Sequence, residues 1–221
     1  MYGIRAWGPS LVPAIITPHI LVAGGASVTI DKITLEHGAT IRGTALHENG
    51  HAVPHSIVRA YWFRQEYAAN GVLWQTSDSG QCTVETNGDF VLTGIPSGIL
   101  VVSVSCDGYV GTRLPLFEVP DEPNAEAHAT LTLFDPRALY GVVYDDANRP
   151  LANIGVNALG DSEYQTTTNA LGEYRIGNLP PYSYTVAFFP QTESAARQFD
   201  ELEVNIESNN APHTIRLKRK R

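Results

Sequence analysis

The sequence repeats itself over the length of a domain. Gly43, in the run IRGTA, aligns with Gly141, in the run LYGVV, and Gly88 aligns with Gly172. The first copy is 14 residues longer, because 45 positions separate Gly43 from Gly88 and 31 separate Gly141 from Gly172. Repetition at this length is typical of two copies of one module. We therefore expect two domains of one fold, the first with an insertion over 61–76.

Short apolar runs alternate with turn signals along both copies. Candidate strands in the first copy are 39–46, 56–63, 82–85, 89–93, 99–106, 113–119 and 129–134. The turn dipeptides Asn49-Gly50 and Asn87-Gly88 lie between runs, and both residue types tolerate positive φ. Short strands spaced in this way are typical of β-sandwiches. We expect an all-β chain with two tandem seven-stranded antiparallel sandwiches, 36–134 and 135–216.

An N-terminal extension, residues 1–35, carries strand-like segments that belong to neither sandwich. They resemble the closing strands of a repeat, so they predict either the end of a preceding repeat or a donor strand for another chain's sheet. Unpaired strand edges seek partners. The residues expected to mediate this self-association are Ile15, Ile16, Ile20, Leu21 and Val22. The basic residues 217–221 are interpreted as a solvated tail.

The two tandem copies, over about 36–216, resemble a known family, and the second copy carries the clearest motifs. The segments 150–156, 166–169, 172–176 and 179–184 are similar to the carboxypeptidase regulatory-like domain. The resemblance implies an Ig-like or prealbumin-like seven-stranded sandwich, related to the B-type repeats of collagen adhesins. It also implies a domain that accompanies enzymes, adhesins or receptors without being a catalyst. Because one fold serves many functions, the resemblance constrains architecture more than activity.

Composition excludes several classes of protein. The 221 residues hold 23 Asp and Glu against 15 Lys and Arg, which argues against a nucleic-acid-binding surface. No apolar run approaches the length of a membrane span. The alternation pattern places Cys82 and Cys106 on inward faces. This favours two buried free thiols over a disulfide, since the expected strand order does not bring the two residues within bonding reach.

The segment 47–51, HENGH, has the H-E-x-x-H spacing of a zinc peptidase. That chemistry needs both histidines on one helix face, with the glutamate activating the zinc-bound water. Asn49-Gly50 breaks a helix, and the repeat alignment places the segment on a turn. A loop metal site using His47, His51 and His55 remains an alternative. We favour an exposed polar loop, with no catalytic residue, metal or cofactor.

The insertion is rich in aromatic residues. If Asn70-Gly71 forms a two-residue turn, Tyr67 pairs with Trp74. Alternation then places Tyr61, Phe63, Tyr67 and Trp74 on one outer face. Such a face is covered within the chain or fibre, or it binds a partner or a glycan by stacking.

These patterns favour a non-catalytic structural function. The leading hypothesis is a module pair of an extracellular or cell-surface protein, in a self-associating fibre or adhesin-type array. The alternative is a carbohydrate-binding accessory domain of a secreted enzyme, using the aromatic face. A zinc hydrolase ranks third.

Overall fold

A computed structural model describes residues 2–20, 24, 27, 29, 32–68, 71–122 and 124–220. The chain divides into a first unit (residues 1–107 and 111–133) and a second unit (108–110 and 134–221). The first ten strands are β1 Tyr2–Ala6, β2 Ala14–Ile20, β3 Ala39–His47, β4 Ile57–Ala68, β5 Gly71–Thr83, β6 Asp89–Ile95, β7 Gly98–Ser105, β8 Val110–Gly111, β9 Arg113–Val119 and β10 Glu126–Phe134. The remaining elements are β11 Arg137–Asp145, β12 Ile154–Leu159, β13 Glu163–Thr167, β14 Glu173–Leu179, β15 Ser183–Pro190, α1 Glu193–Ala196, β16 Leu202–Glu207 and β17 Pro212–Leu217.

The all-β prediction is confirmed, and the two units share one strand order apart from the two-residue strand β8, which has no counterpart among the described residues of the second unit. The second unit has the expected seven strands, whereas β8 brings the first to eight. The sheets of the first unit are ordered β6-β3-β10-β8 and β5-β4-β7-β9, and those of the second are β14-β11-β17 and β13-β12-β15-β16. The expectation of purely antiparallel sheets is wrong, because β10 pairs with β3 in parallel and β17 pairs with β11 in parallel. In each unit the last strand returns beside the first. A parallel pair needs a long connection, and the intervening strands of the module supply it.

The repeated glycines are required at that parallel pair. A Cβ on Gly43 would lie 1.8 Å from the carbonyl oxygen of Ala129, and one on Gly141 would lie 2.0 Å from that of His213. Real side chains do not tolerate such distances, so only glycine lets the two strands approach. The sequence repeat therefore marks a shared backbone geometry.

The second pair of repeated glycines closes equivalent turns. Gly88 and Gly172 have φ values of +93° and +74°, a region that favours glycine. The carbonyl of Gly88 accepts a hydrogen bond from Ala45 N–H at 2.8 Å, and that of Gly172 accepts one from Val143 N–H at 2.9 Å. Both turns thus bond to the first strand of their own module.

The core of the second unit lies between its two sheets. Tyr174 on β14 packs edge-to-face against Phe188 on β15, with ring centroids 5.4 Å apart. Further buried side chains from both sheets are Leu139, Val143, Ile154, Val156, Ala158, Ile176, Leu179, Tyr184, Val186, Ile206, Ile215 and Leu217. Each large apolar side chain buried here contributes about 1.5–3 kcal/mol. Because side chains from both sheets share this core, the unit is a β-sandwich.

The N-terminal extension is partly anchored on the first unit. Strand β2 pairs antiparallel with β1. The segment between β2 and β1 lies along residues 36–38, where Val12 N–H donates to Glu36 O at 2.9 Å and Gly38 N–H donates to Ser10 O at 3.1 Å. The expected strand at Ile20-Leu21-Val22 is observed up to Ile20. Leu21 and Val22 fall outside the described residues.

The interpretation of residues 217–221 as a solvated tail is wrong for Leu217, whereas the side chains of residues 218–220 are exposed. Leu217 is the last residue of β17, is 0% exposed, and pairs with Asp145. Beyond it, Asp200 N–H donates to Lys218 O at 3.0 Å and Lys220 N–H donates to Gln198 O at 2.9 Å. The charge of the neighbouring basic residues led to the prediction of a solvated segment, although Leu217 is part of the core.

Candidate functional site

The insertion lengthens two strands of the first unit instead of forming a separate hairpin. Strand β4 pairs with β7 only from Ile57 to Trp62. Its pairing with β5 continues to the pair Ala68 and Gly71. Residues 63–68 and their β5 partners therefore form a two-stranded ribbon beyond the end of β7.

The predicted register of this ribbon is wrong by two residues. Tyr67 pairs with Val72, and Trp74 pairs with Gln65. The register is fixed at the sandwich end, where Val58 pairs with Cys82, and an irregularity after Ala60 shifts it before it reaches the ribbon. The expected turn at Asn70-Gly71 therefore moves to positions 69–70, which lie outside the described residues.

A shift of two residues does not change which positions share a face. The grouping of Tyr61, Phe63, Tyr67 and Trp74 on one face therefore stays a prediction. Tyr61 is half-buried and pairs with Val101 of β7, which is itself buried.

The strand expected to mediate self-association is paired along one edge. In β2, Ile15 pairs with Arg5, Ile16 with Ile4, and Ile20 with Tyr2. The sheet has two strands, so among the described residues the other edge of β2 has no strand beside it. Leu21 and Val22 lie outside the described residues.

The H-E-x-x-H segment forms a turn, as the sequence predicts, but the expected exposure is wrong at His47, whose side chain is buried. His47 ends β3, its N–H donates to His51 O at 2.9 Å, and Gly50 N–H donates to His47 O at 2.7 Å. The imidazoles of His47 and His51 stack with their centroids 4.5 Å apart. The ring nitrogens of His47, His51 and His55 are not grouped closely enough for all three to bind one metal ion. Because the segment forms a turn, it lacks the helix that zinc-peptidase chemistry needs.

Asp145 occupies the equivalent turn of the second unit. Its N–H donates to Arg149 O at 2.9 Å, as His47 does to His51. Its buried carboxylate accepts from the backbone N–H groups of Arg149 and Ala147, each at 2.9 Å, and lies 2.7 Å from the Arg149 guanidinium. The backbone N–H of Arg149, more than any other group, lowers the pKa of Asp145 to about 2. The charged carboxylate therefore stabilises the turn through these hydrogen bonds and its ion pair with Arg149.

We expect Asp145→Asn to lower the melting temperature of the second unit at neutral pH. A depressed pKa in the folded state adds stability above the ordinary value of 3.8. That contribution is lost as the pH falls towards about 2, so the variant should show a weaker pH dependence over this interval. Thermal unfolding at a series of pH values measures both effects. Asp146→Asn, at an exposed neighbouring carboxylate, is the matched control. An identical pH profile in the two variants would contradict this role.

Three further buried polar side chains, those of Thr168, Ser208 and Ser56, also form hydrogen bonds within the fold. Thr168 Oγ1 donates to Leu151 O at 2.7 Å and accepts from Ile154 N–H at 3.0 Å. Ser208 Oγ donates to Pro180 O at 2.5 Å, and Ser56 Oγ donates to Val53 O at 2.7 Å. These groups stabilise turns and strand ends, as buried polar groups usually do.

The prediction of free cysteines is confirmed, but their predicted core position is not. Cys82 and Cys106 are not joined, and both are half-buried. Cys82 pairs with Val58 near the edge of its sheet, where burial is incomplete. Even so, burial raises the pKa of its thiol, which makes the reactive thiolate scarce at neutral pH.

Sequence reasoning missed one cavity. Trp7 lines a space of about 420 Å³ together with Thr93 and Gly94. This tryptophan follows β1 and precedes the turn Gly8-Pro9-Ser10. The only sequence signal was a tryptophan beside a turn. Nothing in the pattern links position 7 with positions 93–94.

The fold and these contacts define the second unit as a seven-stranded β-sandwich module. Residues 138–218 match the family model of the carboxypeptidase regulatory-like domain. The first unit has the same strand order outside the matched range, apart from the additional short strand β8. No curated protein matches the chain.

Several solved structures are similar to the chain. A streptococcal ancillary pilin is 12% identical with a TM-score of 0.40, and the match covers 95% of this chain and 71% of the pilin. The minor pilin GBS52 of Streptococcus agalactiae is 12% identical with a TM-score of 0.40, covering 83% and 97%. The TIE protein of Bacillus anthracis is 17% identical with a TM-score of 0.32, and the match covers 82% of this chain and 34% of that protein. Among the described residues, no helix has the length and apolar character needed to cross a membrane.

Proposed function

We propose that the chain is a non-catalytic structural module pair that self-associates through its N-terminal strands, within a cell-surface fibre or adhesin-type array. The observation that carries this proposal is the open edge of β2, which has no strand beside it in the part of the chain that the structure describes. A strand of seven residues in a two-stranded sheet is marginal in water, and pairing with another chain would stabilise it.

The composition of β2 supports this role. Proteins protect exposed edges with charged residues. The edge strands β9, β13 and β16 follow this rule, with Arg113, Glu163 and Glu203 respectively. The β2 sequence AIITPHI has no acidic residue, Lys or Arg. Pro18 lacks an N–H, so Ala14–Thr17 is the part best suited to accept a partner strand.

A head-to-tail contact of this kind need not close on itself. A strand donated by one copy to a different surface of the next makes a heterologous interface, which propagates into a filament. A non-catalytic role agrees with the buried polar groups, since Asp145, Thr168 and Ser208 are all engaged by the fold.

Sedimentation velocity of the full chain over a wide concentration range tests this proposal. We expect larger species as the concentration rises. Ile16→Lys should abolish them, because a charge on the strand opposes edge pairing. Leu171→Lys alters an exposed leucine of the second unit and serves as the control. A chain that stays monomeric at every concentration contradicts the proposal.

Carbohydrate binding by the aromatic ribbon is the second candidate function. The observation in its favour is that β4 and β5 continue beyond β7, so the positions of Phe63, Tyr67 and Trp74 lie outside the four-stranded part of the sheet. Aromatic rings on such a ribbon would stack on sugar rings.

A further inference from the structure

The cavity beside Trp7 is built by the N-terminal segment lying across the first unit. Its walls include Leu11 and Pro13 from that segment, and Gly80, Thr93 and Gly94 from β5 and β6. Backbone hydrogen bonds between residues 10–12 and 36–38 hold the segment in place. The space is therefore a feature of the folded unit and does not depend on one flexible side chain.

Gly94 allows the backbone of the N-terminal segment to lie close to the backbone of β6. A Cβ at that position would lie 2.6 Å from the carbonyl oxygen of Leu11. The equivalent position in the second unit is Asn178, and both residues have positive φ, +69° and +56°. The backbone geometry there accepts asparagine, so the glycine in the first unit serves the contact with Leu11 and not the turn alone.

The chemistry of the walls indicates the kind of ligand. Trp7 is 72% exposed although it lines the cavity, so much of its indole surface is free to stack. The lining residues are apolar or small, with the Thr93 hydroxyl as a polar side-chain group, and none of them is charged. Aromatic rings with adjacent polar groups suit ligands that are part apolar and part hydroxylated. The volume of about 420 Å³ falls within the usual range of small-molecule sites, roughly 300–1,000 Å³.

We propose that this cavity binds the pyranose ring of a neutral sugar. Trp7 stacks on the ring, and the Thr93 hydroxyl hydrogen-bonds to a sugar hydroxyl. A neutral ligand fits because the described lining residues include no cation to bind a carboxylate, and the whole chain has a net charge of −8. The described lining includes none of the ribbon aromatics and no residue of β2, so the site adds ligand binding to a structural chain.

Saturation-transfer NMR on the full chain, with methyl glucoside, methyl galactoside, N-acetylglucosamine and glucuronate as probes, tests this site. We expect at least one neutral sugar to bind more tightly than glucuronate. Trp7→Ala should weaken that binding by ~10-fold or more, equivalent to about 1.4 kcal/mol. Trp7→Phe should retain most of it, and Thr93→Val should give an intermediate loss. Leu116→Ala, at an exposed leucine of β9, should change nothing.

Gly94→Asn provides an independent test. Asparagine keeps the positive φ, as Asn178 does, but its side chain displaces Leu11 and disrupts the cavity. Sugar binding should be lost while circular dichroism shows an intact β fold. The proposal is overturned if no neutral sugar binds, if glucuronate binds best, or if Trp7→Ala binds as well as the unchanged chain. The last result would assign binding to the ribbon aromatics. Because none of these outcomes depends on self-association, the structural proposal is tested separately.

Discussion

We expect Gly141→Val to unfold the second unit and to leave the first unit folded. The added side chain would place its Cβ 2.0 Å from the carbonyl oxygen of His213, on a partner strand fixed by the sandwich core. Gly43→Val should unfold the first unit and leave the second unit folded, because its Cβ would lie 1.8 Å from the Ala129 carbonyl oxygen. We expect each variant to cost about 4–5 kcal/mol or more, comparable with the whole stability of a small domain.

Hydrogen exchange followed by mass spectrometry resolves the two units peptide by peptide. Gly177→Ala is the control in the same sheet, since a Cβ at that position meets nothing within 4 Å. Its exchange pattern should match the unchanged chain. If Gly141→Val and Gly177→Ala behave alike, the parallel pairing of β11 and β17 is not as described.

Leu217→Ala should destabilise the second unit by about 2–5 kcal/mol, the usual cost of truncating a buried leucine. Leu217 is fully buried at the end of β17, among the apolar side chains of both sheets. Urea unfolding of the full chain, with the second unit monitored separately, measures the loss.

Lys218→Ala is the matched control one residue further on. Lys218 is exposed, and its carbonyl still accepts the hydrogen bond from Asp200 in the variant. We expect a change of less than about 0.5 kcal/mol, as for ordinary surface positions. Equal effects of the two substitutions would mean that the chain end is solvated after all.

Alternation and turn residues predicted most strands of the first unit, because these patterns depend on local geometry, but the candidate strand 82–85 overlaps the observed β5 only at Cys82 and Thr83. Strand β9 matches its predicted limits, 113–119, and β3 extends the predicted 39–46 by one residue. The direction of pairing is not local. Nothing in the pattern of β3 or β10 states that they run parallel, although the glycine at Gly43 reflects the close approach that this pairing imposes.

Features of the candidate sites could be predicted from the sequence only where they depend on residues that are neighbours in the chain. Asn49-Gly50 correctly predicts a turn at the H-E-x-x-H segment. The ribbon register depends on an irregularity near Ala60, which the sequence does not mark. The cavity joins Trp7 with Thr93 and Gly94, residues that meet only in the folded unit. Single-sequence patterns carry no signal for such a contact.

Amide hydrogen exchange of β2 at low and high protein concentration tests the proposed self-association most directly. If another chain pairs with the open edge of β2, exchange within Ala14–Thr17 should slow markedly as concentration rises. Exchange in the charged edge strands β13 and β16 should stay the same. Exchange rates in Ala14–Thr17 that do not depend on concentration would contradict assembly through this strand.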